Sequence, residues 1–180
     1  MRAAVALLWL GATLPALGAE VESRVLTHYV PQDSLEKAVR TEAWTVLPLA
    51  LKGGLHKGDV IRVWAGGSID RGNGDQPGEN VGGPAGVGPS GAAVDVKKLT
   101  LSRKSAHAFA LLFKTERPGL WRCLPPGKPL EIKVAKDNEK ISIGFNDERG
   151  RYYDNHLGKG RRHELDPLWV RIEVVRTIVD

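Results

Sequence analysis

Residues 168–175 read LWVRIEVV. Leu168, Val170, Ile172 and Val174 alternate with Trp169, Arg171 and Glu173. A period of two sends alternate side chains to opposite faces, so this stretch is a strand with one apolar face. The same rhythm recurs upstream. In DVIRVWAGG (59–67), Ile61, Val63 and Ala65 oppose Val60, Arg62 and Trp64. In LEIKVA (130–135), Leu130, Ile132 and Val134 oppose Glu131 and Lys133. In KISIGF (140–145), Ile141, Ile143 and Phe145 oppose Ser142 and Gly144. HAFALLFKT (107–115) is apolar on both faces, which predicts a central strand over Phe109–Phe113. VESRVLTHYV (21–30) and TVLPLAL (45–51) add two further strand candidates. Short strands separated by Gly/Pro turns predict an all-β fold, an antiparallel sandwich with one buried face per sheet.

Two segments depart from that period. In PQDSLEKAVRTEAW (31–44), Leu35, Ala38 and Val39 fall on one helical face, and Asp33 or Ser34 is placed to cap it. Residues 66–91 are rich in Gly and Pro and poor in large apolar side chains, so no packed strand is expected there. A connection of that length in a compact domain is a binding loop or a mobile one.

The first 19 residues carry a basic start at Arg2, an apolar run from Ala3 to Leu10, Pro15, and small residues at Ala16, Gly18 and Ala19. That is the layout of a secretory signal peptide, and the run is too short to span a bilayer. The expected organisation is a signal peptide over 1–19, an N-terminal extension with a short helix over 20–43, and a β-sandwich domain over 44–180. The expected location is secreted or periplasmic. Cys123 is the sole cysteine, so no internal disulfide can staple the fold, and it is expected buried or half-buried as an apolar residue. The net charge of +5 in 180 residues is no polyanion-binding signature, and no nucleic acid is expected as a partner.

Chemistry concentrates in FNDERGRYYDN (145–155). Asp147 and Asp154 supply two negative charges, enough to balance a divalent cation. Asn146 and Asn155 add neutral carbonyl oxygens, and Gly150 permits the positive φ that folds the backbone back, so that a carbonyl near Arg151 can turn inward. An all-oxygen donor set suits Ca²⁺ better than zinc. The other reading is an Asp/Asn-rich turn with local Asx hydrogen bonds, its carboxylates relieved by Arg149 and Arg151. Spacing alone leaves both open. The alternating acids and final Glu of an EF-hand are missing.

SIGFNDERGRYYDN (142–155), with LWVRIEV after it, resembles the N-D-x-x-G-x-Y-x-N-N loop and closing strand of the PA-IL type galactose-binding lectins. GDVIRVWAGGSIDRG (58–72) is similar to that family's second strand and the loop after it, and HAFALLFKT sits where the family has its central strand. The likeness covers roughly residues 44–177. It implies a small jelly-roll-like β-sandwich that binds Ca²⁺, with the ion touching sugar hydroxyls directly. Carried over by position, it implies side-chain ligation by Asp147, Asp154 and Asn155, and backbone carbonyls from Arg151 and Arg71. Asp147 and Asp154 would also meet the sugar. Glu148, Gln76, Asn80 and His156 complete the candidate carbohydrate contacts. Asp154 stands where the family has Asn. The His and Gln that grip the sugar in the family have no clear counterpart here, and LGKGRRHELDP (157–167) lengthens the link before the last strand.

Other signals are weaker. GPAGVGPSG (83–91) lacks the Lys-Ser/Thr of a phosphate loop, and Ser90 lacks nucleophile-elbow spacing. Asp70, Asn73 and Asp75 offer a second acidic group that loop solubility explains equally. His107 is expected at the edge of the core. Trp64, Trp121 and Trp169 are core or sheet-surface residues on strands; flat aromatics near a polar cleft also serve as platforms for sugar rings. The expected function is calcium-dependent carbohydrate binding, non-enzymatic because no acid/base pair can be placed. The partner would be galactose or another hexose, with homo-oligomerisation open. The alternative is a structural or interaction module of the envelope.

Overall fold

The computed structural model describes residues 21–49, 51–71, 81–86, 99, 107–116, 121–157 and 165–179. The signal-peptide segment, Gln76, Asn80, Asn73, Asp75, Ser90 and the basic stretch at 158–163 lie outside the described residues. In chain order the elements are β1 (Val21–Tyr29), α1 (Gln32–Arg40), β2 (Thr45–Val46), β3 (Val60–Gly66), β4 (Ile69–Asp70) and β5 (Val81–Gly82). They continue with β6 (Leu111–Thr115), β7 (Trp121–Cys123), β8 (Leu130–Lys133), β9 (Ile141–Phe145), a 3-10 turn at Tyr152–Asp154, and β10 (Trp169–Val179).

Two four-stranded antiparallel sheets make an all-β sandwich, in the orders β1-β10-β3-β8 and β2-β9-β6-β7. The period-two faces land as the alternation requires. Ile61, Val63, Ile132, Val170, Ile172 and Val174 point inward from the first sheet; Leu111, Phe113, Ile141, Ile143 and Phe145 meet them from the second. Burying each enclosed Leu, Ile or Phe contributes about 1.5–3 kcal/mol. On the other face of β6, Leu112 is buried as well. On that outer face the Trp44 ring lies over Gly144, and Lys114 stacks on the indole at 4.3 Å.

The segment before residue 44 is built into this core. β1 pairs with β10 along nine residues, from Val21↔Val179 to Tyr29↔Arg171. The α1 helix buries Leu35, Ala38 and Val39 completely. Asp33 in its first turn and Lys37 and Arg40 in its last suit the helix dipole. Its N-cap is Pro31, without a side-chain cap, so Asp33 and Ser34 lie inside the helix instead of capping it. Pro31 brings a fixed φ and its carbonyl accepts from Ser34 and Leu35.

Two other expectations are corrected. The central strand starts at Leu111, because Phe109 turns to φ 58 and the chain bends there. Asn146 dictates the bend: its carbonyl accepts from Phe109 N–H at 2.6 Å, and its N–H donates to the Ala110 carbonyl at 3.0 Å. Gly86 lets the neighbouring turn approach, since a Cβ there would sit 2.3 Å from the Ala108 carbonyl oxygen. The Gly/Pro-rich segment also contains a ribbon, β4 with β5, anchored by Ile69, which is buried in the core. One large apolar side chain sufficed where composition predicted none. Cys123 is a half-buried free thiol, its pKa raised by burial. No helix among the described residues is long and apolar enough to cross a membrane.

Candidate ion and carbohydrate site

Strand β9 delivers the chain to the site, and buried polar anchors shape the loop beyond it. Asn146 is fully buried, and its Nδ2 donates to the His107 carbonyl at 2.8 Å. It therefore brackets the 107–110 turn. His107 is half-buried beside it, Nδ1 3.1 Å from the Ala85 carbonyl, at the core edge as expected. Tyr152 closes the loop from the other side. Its hydroxyl donates to the Phe145 carbonyl at 2.9 Å and receives the Asp147 N–H at 3.4 Å. Between these anchors Gly150 adopts φ 78, and its N–H donates to Glu42 Oε1 at 2.6 Å.

The fold gathers Asp147, Asp154 and Asn155 within this loop. Asp147 is only 3% exposed. Its Oδ1 accepts the Glu148 N–H at 2.6 Å, and its Oδ2 accepts Asn155 Nδ2 at 2.7 Å. The same Nδ2 donates to the Val39 carbonyl at 2.9 Å, so α1 helps to hold the site. Both amide protons of Asn155 are thus spent on oxygen acceptors, which fixes the amide orientation. Its Oδ1 is enclosed and accepts no hydrogen bond from the described residues. Asp154 ends the 3-10 turn with its Oδ1 likewise enclosed. The Arg151 carbonyl accepts the Asp154 N–H at 3.4 Å inside that turn.

Charge is unevenly balanced here. Burial pushes the Asp147 carboxyl above its ordinary range, and the negative neighbours Asp154 and Glu148 push it further. The Asn155 amide and Glu148 N–H offset this in part. Arg71 enters from the loop after β4. Asp70 and His156 exchange backbone hydrogen bonds at 3.1 and 2.8 Å, which docks that loop on the acidic one. Burial lowers the Arg71 pKa while the Asp147 and Asp70 carboxylates attract its charge. The sequence pattern offered Arg71 as a carbonyl and Arg149 and Arg151 as the balancing cations. Arg151 instead pairs with Glu148 at 3.1 Å, and Arg149 is exposed. The Glu148 carboxylate is therefore shared between Arg151 and the repulsion it exerts on Asp147. His156 is half-buried and contributes backbone bonds to Asp70.

Val39, Tyr152 and the Asp70 carboxylate were missed as parts of the site. A Tyr five residues after an Asp was a readable cue for the last turn; the other two depend on contacts between distant segments. Trp64 lies under the Arg171 guanidinium and borders a cavity of about 370 Å³ between the turns at 83–86 and 124–128. Trp169 is 44% exposed and lies over Gly66.

Chemically, the loop offers carboxylate, amide and backbone oxygens. Among the described residues no group of three or more His, Cys, Asp or Glu forms a metal cluster. An enclosed amide oxygen and carboxylates in one loop are the donor types that a hard, oxygen-seeking cation such as Ca²⁺ takes. No protein-family model matches the chain, and comparison with curated proteins finds no match. Among solved structures it is similar to one described as "EclA N-terminal domain; PllA-like lectin", at 15% identity and a TM-score of 0.40, covering 84% of this chain and 95% of that one.

Proposed function

We propose that the protein is an exported, non-enzymatic carbohydrate-binding protein whose loop at 147–155 holds Ca²⁺. Asp147, Asp154 and Asn155 would be the side-chain ligands, and the carbonyls of Arg151 and Arg71 would complete the protein's share. The ion, when bound, offers unfilled coordination positions to two neighbouring sugar hydroxyls at about 2.3–2.6 Å. The chain's own residues bind and orient: α1 fixes Asn155 through the Val39 carbonyl, and Tyr152 fixes the backbone of Asp147. The observation that carries this reading is the enclosed Asn155 Oδ1, which receives no donor from the described residues and lies beside the buried carboxylate that its own amide contacts. Leaving such an acceptor unmet costs about 1–3 kcal/mol, and a cation recovers it.

Calorimetry with CaCl₂ tests the ion, comparing the wild type with Asp154→Ala and Asp147→Ala. A dissociation constant of about 10⁻⁴–10⁻³ M is expected for the wild type, the range of extracellular modules. A hundredfold excess of Ca²⁺ over that constant should then stabilise the fold by about 2.7 kcal/mol, reversibly with EDTA. Equal heats for wild type and variants remove the site. The second reading, an interaction module with a purely structural loop, is favoured by the Asn155–Val39 bond, which gives the loop a packing role without any ion. A glycan array read with and without chelator separates the two: calcium-dependent melting without glycan capture supports the second.

A further inference from the structure

Arg71 has a seat built for it. Its guanidinium lies 4.5 Å from the centroid of the Phe109 ring. Phe109 is held in that position by the left-handed turn that Asn146 imposes. On another side the guanidinium meets Gly82, where an added Cβ would sit 3.6 Å from Arg71 Cζ. The hydrogen-bonded bridge between Asp70 and His156 fixes the backbone one residue away. Ring, glycine and bridge together direct one positive charge toward the side of the loop that carries Asp147. Burial disfavours that charge, and the attraction of Asp147 and Asp70 acts against it.

We infer that the Arg71 side chain is the chain's own counter-cation for the acidic loop, and that it sets the calcium affinity of the site by competing with the ion. This rests on the calcium reading proposed for the 147–155 loop. A fixed positive charge within a few ångströms of a divalent ion opposes it by Coulomb's law, and a partly buried site screens that repulsion weakly. In the metal-free protein the guanidinium offsets the repulsion between the carboxylates. When calcium enters, the guanidinium loses that role and its proximity becomes unfavourable. The Phe109 ring already holds the guanidinium at 4.5 Å, a cation–π contact that does not depend on the acidic loop.

The test uses the full chain as Arg71→Met, which keeps length without charge, and Arg71→Lys, which keeps charge. Each is titrated with CaCl₂ by calorimetry and melted in EDTA. The expected result is that Arg71→Met binds calcium at least about tenfold more tightly than wild type. Its metal-free melting temperature should fall, while Arg71→Lys stays within about threefold of wild-type affinity. Unchanged or weaker binding by a folded Arg71→Met overturns the competition while leaving the calcium site standing. Binding by neither wild type nor Arg71→Met overturns the calcium reading itself. If Arg71→Met does not fold, Arg71→Lys decides: a loss of calcium binding greater than about tenfold overturns the inference.

Discussion

Asp59 and Asp147 are both 3% exposed, yet their surroundings push their carboxyl groups in opposite directions. Burial opposes ionisation of both. At Asp59 this is overcome: Arg176 Nε and NH2 grip the two carboxylate oxygens at 3.0 and 2.7 Å, and the His56 N–H adds a bond at 2.8 Å. The Arg176 NH2 also donates to the Gly54 carbonyl at 2.8 Å. That carboxyl is held below its ordinary value. At Asp147 a neutral amide and a backbone N–H donate to the carboxylate, and other carboxylates raise its pKa. A planar fork gripping both oxygens closes the first site. The second is held by a neutral amide and a backbone N–H, with the Arg71 charge attracted to it. The difference separates a carboxylate used to lock β10 onto the turn before β3 from one whose ionisation its surroundings oppose.

The comparison breaks most readily at the locked pair. Arg176→Met should cost about 3 kcal/mol, because it strands a buried carboxylate. Urea unfolding measures it, and a loss under about 1 kcal/mol would mean the fork holds little. A smaller effect sharpens the contrast. In the metal-free protein, NMR of the side-chain carboxyls should place the Asp59 midpoint below 3.8 and that of Asp147 above it. The two shifts act on stability in opposite senses. The lowered Asp59 stabilises the fold above its unfolded pKa, and that stability is lost as pH falls through the folded value. The raised Asp147 contributes stability only at low pH, lost as pH rises through its folded value. Midpoints in the reverse order would dissolve the distinction. The smallest effect belongs to the surface. Glu148→Gln removes an ion pair whose Arg151 is 54% exposed and should change stability by less than about 1 kcal/mol. A larger loss would show that the Glu148–Arg151 pair holds the loop more firmly than a part-exposed ion pair should.

The inward faces of β3, β8, β9 and β10 were legible because alternation is a local property, and Ile61, Ile132, Ile143 and Ile172 fall where it puts them. The Asp/Asn loop was legible as acidic and folded back at Gly150 for the same reason. Phe109 was misjudged because propensity favours an aromatic in a strand, while a distant asparagine, Asn146, overrode it. The placement of the Arg71 side chain was not legible because charge acts across segments: Asp147 and Phe109 are far along the chain and near only after the ribbon docks through His156. The role of α1 was hidden similarly, since a backbone carbonyl such as that of Val39 carries no mark in the sequence.

The antiparallel pairing of β1 with β10 sets Val21 beside Val179. Strand β10 starts at Trp169, next to Gly66 and the loop that carries Arg71, and runs away from it. From Arg171 to Val179 the strand covers about 26 Å at the usual rise per residue. A linker, affinity tag or further module joined beyond either of these two strand ends therefore departs from one pole of the first sheet, and the acidic loop lies toward the other. Tethered to a sensor chip or carrier through either strand end, the molecule presents the same pole to the surrounding solution.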